Sequence, residues 1–180
     1  MYFGAYMRCL SVLGACLLLN GYVHAENQAN FTVEGTVTGS TCKVISGNGR
    51  PVTIPSKGLG ELASPNSVAG KTAFRISVQG CATTATVYFH NDQTTVNSNG
   101  RLNNTATDSE VAENVELEIL NSKSESVDLS AAHGSQGTSA PSVGISEGDA
   151  DFDFFVQYYS IGAASAGKVK STLTFIVESL

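Results

Sequence analysis

The chain has 180 residues, the length of one ordinary domain, with 10 Lys+Arg against 16 Asp+Glu and a formal net charge of −6. That balance excludes a nucleic-acid binder, which needs a basic face to displace phosphate counterions. With 42% hydrophobic and only 14% charged residues, no Trp and 18 Gly, the composition also excludes a disordered chain and favours a compact β domain.

Taken in chain order, the first feature is the apolar run from Cys9 to Leu19, preceded by Arg8. It is too short for a membrane span, which takes about 20 apolar residues. It suits the core of a secretory signal, and Val23-His24-Ala25 supplies the small residue at which such a signal is cut. We expect residues 1–25 to be a signal peptide, with translation starting at Met1 or Met7. The mature chain then begins at Glu26, with 155 residues and a net charge of −7, because Arg8 is the only charged residue removed.

Cys9 and Cys16 leave with the signal, so the mature chain keeps only Cys42 and Cys81. Two cysteines in an exported protein read as one disulfide. Closing that loop should stabilise the fold by roughly 3–4 kcal/mol in the chain-entropy account. A thiol nucleophile or metal centre would need partners, and the mature chain has no CxxC and only His90 and His133.

Period-two alternation then recurs, without sustained helical periodicity. Phe31, Val33, Gly35 and Val37 alternate with Thr32, Glu34, Thr36 and Thr38. Further strands are expected at Val52–Ile54, closed by Pro55, at Phe74–Val78, at Thr86–Phe89, at Val115–Ile119 with Glu116 and Glu118 facing solvent, at Phe152–Tyr159 and at Val169–Val177. Turn-rich pieces separate them: Ser46-Gly47-Asn48-Gly49, Asn97-Ser98-Asn99-Gly100 and the stretch from Ser130 to Gly148. Short strands with such punctuation predict a β-sandwich.

Several ordered features resemble the type 1-like pilins, the structural subunits of chaperone–usher fimbriae. They are the alternating leader Phe31–Val37 before Cys42, the strand Val52-Thr53-Ile54-Pro55, and Phe74-Arg75-Ile76-Ser77-Val78-Gln79-Gly80-Cys81 with the second cysteine. Asn114-Val115-Glu116-Leu117-Glu118-Ile119, the aromatic run Phe154–Tyr158 and Gly167, fourteenth from the C-terminus, complete the match. The chain departs from the family where a penultimate aromatic is usual, carrying Ser179 there.

The resemblance implies an all-β fold, an incomplete immunoglobulin-like sandwich lacking its last strand. A donor strand from a neighbouring subunit would complete it, a form of β-augmentation. Residues 26–38 would be the donor segment, with Phe31, Val33, Gly35 and Val37 entering the neighbour's groove, and residues 39–180 the pilin domain. Gly35 adds no burial, so its place in the pattern predicts a shallow spot where a Cβ would clash. Gly167, Val169, Leu173, Phe175 and Val177 would form the strand that lines the groove and meets a periplasmic chaperone. The implied partners are that chaperone, an outer-membrane usher and other fimbrial subunits, on a route to the cell surface. The alternative is a monomeric secreted β-sandwich with lectin-like binding, whose own first strand is the Phe31–Thr38 segment. A two-domain tip adhesin would need more chain before Phe31.

No enzymatic set is expected. Asp149, Asp151 and Asp153 have the spacing of a calcium loop, but the sixth and twelfth positions are Phe154 and Ser160 instead of Gly and Glu. They read as solvent-facing acids. No G-x-S-x-G elbow occurs, and we expect no metal and no cofactor.

Overall fold

The computed structural model describes residues 29–38, 42–81, 84–107, 110–132, 136, 142–144 and 148–179. The expected signal peptide, the Glu26 terminus, His133 and Leu180 lie outside them. The strands in chain order are β1 (Ala29–Thr38), β2 (Lys43–Ser46), β3 (Arg50–Ile54), β4 (Val68–Gln79), β5 (Thr84–Phe89), β6 (Val115–Leu120), β7 (Ser142–Gly144), β8 (Ala150–Ser160) and β9 (Val169–Ser179), with a 3-10 turn at Leu59–Leu62. They form two sheets, β3-β1-β9-β5-β7 and β2-β4-β8-β6.

Alternation decides which faces meet. On β4, Phe74, Ile76 and Val78 are buried while Arg75 and Gln79 are exposed; on β8, Phe152, Phe154, Val156 and Tyr158 are buried while Asp151 and Asp153 are exposed. The opposing sheet contributes Phe31, Val33, Ile54, Val87, Phe89, Leu173 and Phe175 to the same core. Apolar side chains from both inner faces therefore leave water together, the main favourable term in folding. Phe154 sits at the centre. Its ring stacks on Phe74 at 5.4 Å between centroids and meets Phe89 edge-on at 5.0 Å, and Phe74 in turn touches Phe31 at 5.7 Å.

One expectation is corrected. Glu116 and Glu118 do not face solvent; every residue of β6 is buried. The edge of β6 away from β8 is paired by chain that the alternation does not reveal. Leu102 pairs with Leu117 and Val127 donates its N–H to the Ile119 carbonyl, which brings flanking segments against the strand. The two carboxylates are accommodated by partners. Arg101 Nε bonds Glu116 Oε2 at 2.7 Å, and Gln157 Nε2 donates to Glu118 Oε2 at 2.7 Å. The Arg101 guanidinium also lies 3.8 Å from the Tyr159 ring centroid. Buried acids stay because each has a directional partner.

The acids of β8 face solvent as expected, but they are not idle. Asp151 and Asp153 grip Arg75 on the neighbouring strand, through Nη1 at 2.9 Å and through Nε at 2.6 Å. The hydrogen bond to Asp153, followed by the charges of Asp153 and Asp151, raises the Arg75 pKa above its ordinary value. All three side chains are about half exposed, so the cluster adds little to stability. No group of three or more potential metal ligands occurs among the described residues.

Cys42 and Cys81 form the disulfide, with Cα atoms 4.2 Å apart. It ties the start of β2 to the end of β4, next to the point where the chain crosses from one sheet to the other.

Candidate functional site: an interior strand slot

The feature that sets this sandwich apart is where its first strand lies. β1 occupies the interior of a sheet, antiparallel to β3 on one side and parallel to β9 on the other. Among the described residues β3 has no other ladder partner in its sheet, whereas β9 also pairs with β5. Taking β1 away would strip β3 of its ladder and uncover one edge of β9. The remaining strands therefore define a slot, bordered by β3 and β9 and backed by the aromatic core.

Ladder and side chains both hold the occupant. In register, Phe31 lies beside Ser171, Val33 beside Leu173, Gly35 beside Phe175 and Val37 beside Val177. Phe31 and Val33 are fully buried. Their burial stabilises the seated strand by at most about 3–6 kcal/mol before ordering costs. The polar side of β1 behaves as alternation requires, with Glu34 and Thr36 exposed.

Gly35 has a definite steric reason. A Cβ built there would overlap the Phe175 ring, and that ring is itself fully buried, so it has nowhere to go. Gly35→Val is expected to destabilise the seated strand by about 1–3 kcal/mol, readable as a lowered urea midpoint with unchanged m-value. An unchanged midpoint would contradict this packing.

The turn between β2 and β3 completes the slot. β3 begins opposite Val33, at Arg50, and the turn before it continues the ladder. Gly49 N–H donates to the Val33 carbonyl at 2.6 Å, and Gly35 N–H donates to Asn48 Oδ1 at 3.1 Å. Sequence reading marks Ser46–Gly49 as a turn but does not reveal that it supplies hydrogen bonds to a distant strand.

The β9 residues expected to line the groove are brought together: Val169, Leu173, Phe175 and Val177 are buried on one face, and Gly167 precedes the strand. A Cβ at Gly167 would collide with the backbone at Val111 and Ala112, so glycine allows two chain segments to cross in contact. Beyond the β1 end of the slot lies a small apolar hollow lined by Leu59, Leu62, Val115, Gly167 and Val169.

The sequence expects the slot to be completed by a neighbour's segment. In the lone chain its own segment fills it, and the physical reason is proximity. The Phe31–Thr38 stretch is tethered a few residues from the domain, so its effective concentration exceeds that of any free strand.

Comparison with known proteins follows from this geometry. A sequence-family profile described as fimbrial protein matches residues 31–178. The chain is 32% identical over 160 residues to the major fimbrial subunit SMF-1 of Stenotrophomonas maltophilia, covering 85% of this chain and 94% of that one. It is 30% identical over 175 residues to the F17 fimbrial protein of Escherichia coli, covering 92% and 95%. Among solved structures, the P pilus rod subunit PapA superposes with a TM-score of 0.59 at 9% identity, over 78% of this chain and all of that one. A Burkholderia pseudomallei antigen and type I fimbria protein superposes with a TM-score of 0.50 at 22% identity, over 84% and 92%. These two likenesses bear on the fold, an immunoglobulin-like sandwich. The chain belongs to the fimbrial protein family, as a structural, non-enzymatic subunit of a cell-surface fimbrium.

Proposed function

We propose that this subunit polymerises by strand donation: residues 26–38 of one chain occupy the slot between β3 and β9 of the next. The observation that carries the reading is the interior position of β1, a terminal segment filling a place that the remaining strands cannot fill themselves. Main-chain hydrogen bonds from β3, β9 and the Gly49 turn hold whatever strand lies there, and the alternate pockets set its register. An empty slot would expose an apolar core and unpaired edges, an aggregation hazard. We therefore assign a periplasmic chaperone the task of covering the slot before assembly, and an outer-membrane usher the task of bringing two subunits together. Exchange needs no nucleotide, because the replacing strand packs better than the one it displaces.

The monomeric reading rests on one specific observation, that β1 seats in its own slot. Removing residues 26–35 separates the two. Under strand donation, the truncated chain still folds with the chaperone and still accepts a partner's arm, but donates none. Boiling-resistant ladders, expected on a gel for the full chain, are then absent when the truncated chain is expressed alone. Fibres of normal length from the truncated chain alone would refute donation.

A further inference from the structure

Two Asn-Gly pairs follow the expected signal peptide, Asn48-Gly49 and Asn99-Gly100. Such a pair can modify itself, because glycine has no side chain to keep its nitrogen away from the preceding asparagine. The glycine amide nitrogen attacks the asparagine Cγ; a C–N bond forms, and Nδ2 leaves as ammonia with the proton that the attacking nitrogen gives up. Water then opens the five-membered imide at one of its two carbonyls, leaving aspartate or isoaspartate.

At Asn48-Gly49 both reacting groups are held by the arm. Gly49 N–H, which must lose its proton and turn toward Cγ, donates to the Val33 carbonyl at 2.6 Å. Asn48 Oδ1, on the carbon to be attacked, accepts from Gly35 N–H at 3.1 Å. Val33 and Gly35 both belong to β1, so one strand fixes nucleophile and electrophile together. Packing adds no further hold: Asn48 and Gly49 are exposed to water, and a Cβ at Gly49 would meet no atom within 4 Å. The second pair is held differently. Gly100 N–H donates to the Asn97 carbonyl at 3.1 Å and the Gly100 carbonyl accepts from Leu129 N–H at 3.1 Å, partners that lie in loops and not on β1.

We propose that Asn48-Gly49 is a self-modification site gated by the chain's own arm. With β1 seated the pair is inert; when β1 leaves the slot, both hydrogen bonds go with it and the imide closes. The reaction consumes water, releases ammonia and needs no enzyme, so each chain carries a record of the time its slot has stood open. The isoaspartyl product adds a backbone methylene to the turn. That carries Gly49 N–H out of line with the Val33 carbonyl, and the arm of a marked chain reseats less firmly. The inference concerns the self-seated arm and stands whether or not that arm is later donated.

Peptide mapping by mass spectrometry of the mature chain, incubated at mildly alkaline pH, tests the gate. Asn99 is the internal reference, because general unfolding would speed both sites alike whereas local opening of the arm speeds only Asn48. Gly35→Val, expected above to loosen the seated strand, should raise the Asn48/Asn99 ratio of modification at least about fivefold over the parent, the change in open population that such loosening carries. Thr32→Cys with Thr172→Cys, ladder neighbours whose oxidation ties β1 to β9, should leave Asn48 intact while Asn99 reacts at the parent's rate. No rise in the ratio with Gly35→Val, or conversion of Asn48 in the tied chain as fast as in Gly35→Val, would overturn the gate. Parent chains separated with isoaspartate at position 48 should exchange the Gly35 amide proton at least about fivefold faster than unmodified chains; equal exchange would overturn the effect on reseating.

Discussion

Phe154→Ala is expected to destabilise the chain by about 3–5 kcal/mol, enough to leave little of an ordinary domain's stability. Phe154 is fully buried and is the ring through which Phe74 and Phe89 communicate across the two sheets. Its removal subtracts the transfer free energy of a phenyl group and leaves a hole. β8 neighbours on both sides, β4 and β6, would have to close around it. Because the slot is backed by this aromatic cluster through Phe31 and Phe74, the same substitution should loosen β1 as well. Urea unfolding checks the first effect, and amide exchange along β1 the second. A cost below about 1 kcal/mol would mean that the cluster repacks.

Replacing Cys42 and Cys81 together by alanine is expected to cost about 4 kcal/mol, the entropy released to the unfolded chain by opening a loop of 39 residue steps. The bond also pins the crossover between the two sheets. Cys42 stands where the chain passes from β1 in one sheet to β2 in the other, and Cys81 where it passes from β4 back to β5. Without it, β2 and β3 would be held only by short ladders of four and five residues. The variant should therefore show reduced protection of β3 and a lower melting temperature, by roughly 2–4 °C per kcal/mol. A double variant as stable as the parent would contradict the account of the crossover.

Much of this architecture is readable before any coordinates are known. The alternating segments became strands because one face of each packs on a shared core, and alternation is the direct trace of that fact. The cysteine pair followed from number and export context, and Gly35 stood out as a break in an otherwise apolar row. Less visible was anything decided by chain far away. Glu116 and Glu118 look solvent-facing in their own strand, and their burial comes with partners distant in sequence, Arg101 on Glu116 and Gln157 on Glu118, beside an edge paired by Leu102 and Val127. β2 and β7, four and three residues long, are too short to show a period. Gln136 is another case. Its amide donates to the Phe89 carbonyl at 2.8 Å and accepts from the Phe89 N–H at 2.9 Å, standing in for a neighbouring strand from a loop with no strand pattern.

The slot itself was only half legible. Its apolar lining on β9 and the matching face of the arm are local patterns, and both were readable. The direction of β1 beside β9 and the two hydrogen bonds from the Asn48-Gly49 turn were not, because pairing partners distant in sequence leave no periodic mark. Ser171 is silent for a similar reason. In sequence it is one serine among many, and its meaning comes from being buried beside a phenyl ring.

The most direct test of the central claim is to lock β1 into its own slot. Thr32 and Thr172 are ladder neighbours on the outer face of β1 and β9, and Thr32→Cys with Thr172→Cys places two thiols about 4.8 Å apart at the backbone. Chains in which mass spectrometry finds that intramolecular bond can neither donate their arm nor accept another. Strand donation predicts that such chains occur only as monomers, absent from the boiling-resistant ladder; finding them in the ladder at the parent's share would contradict it.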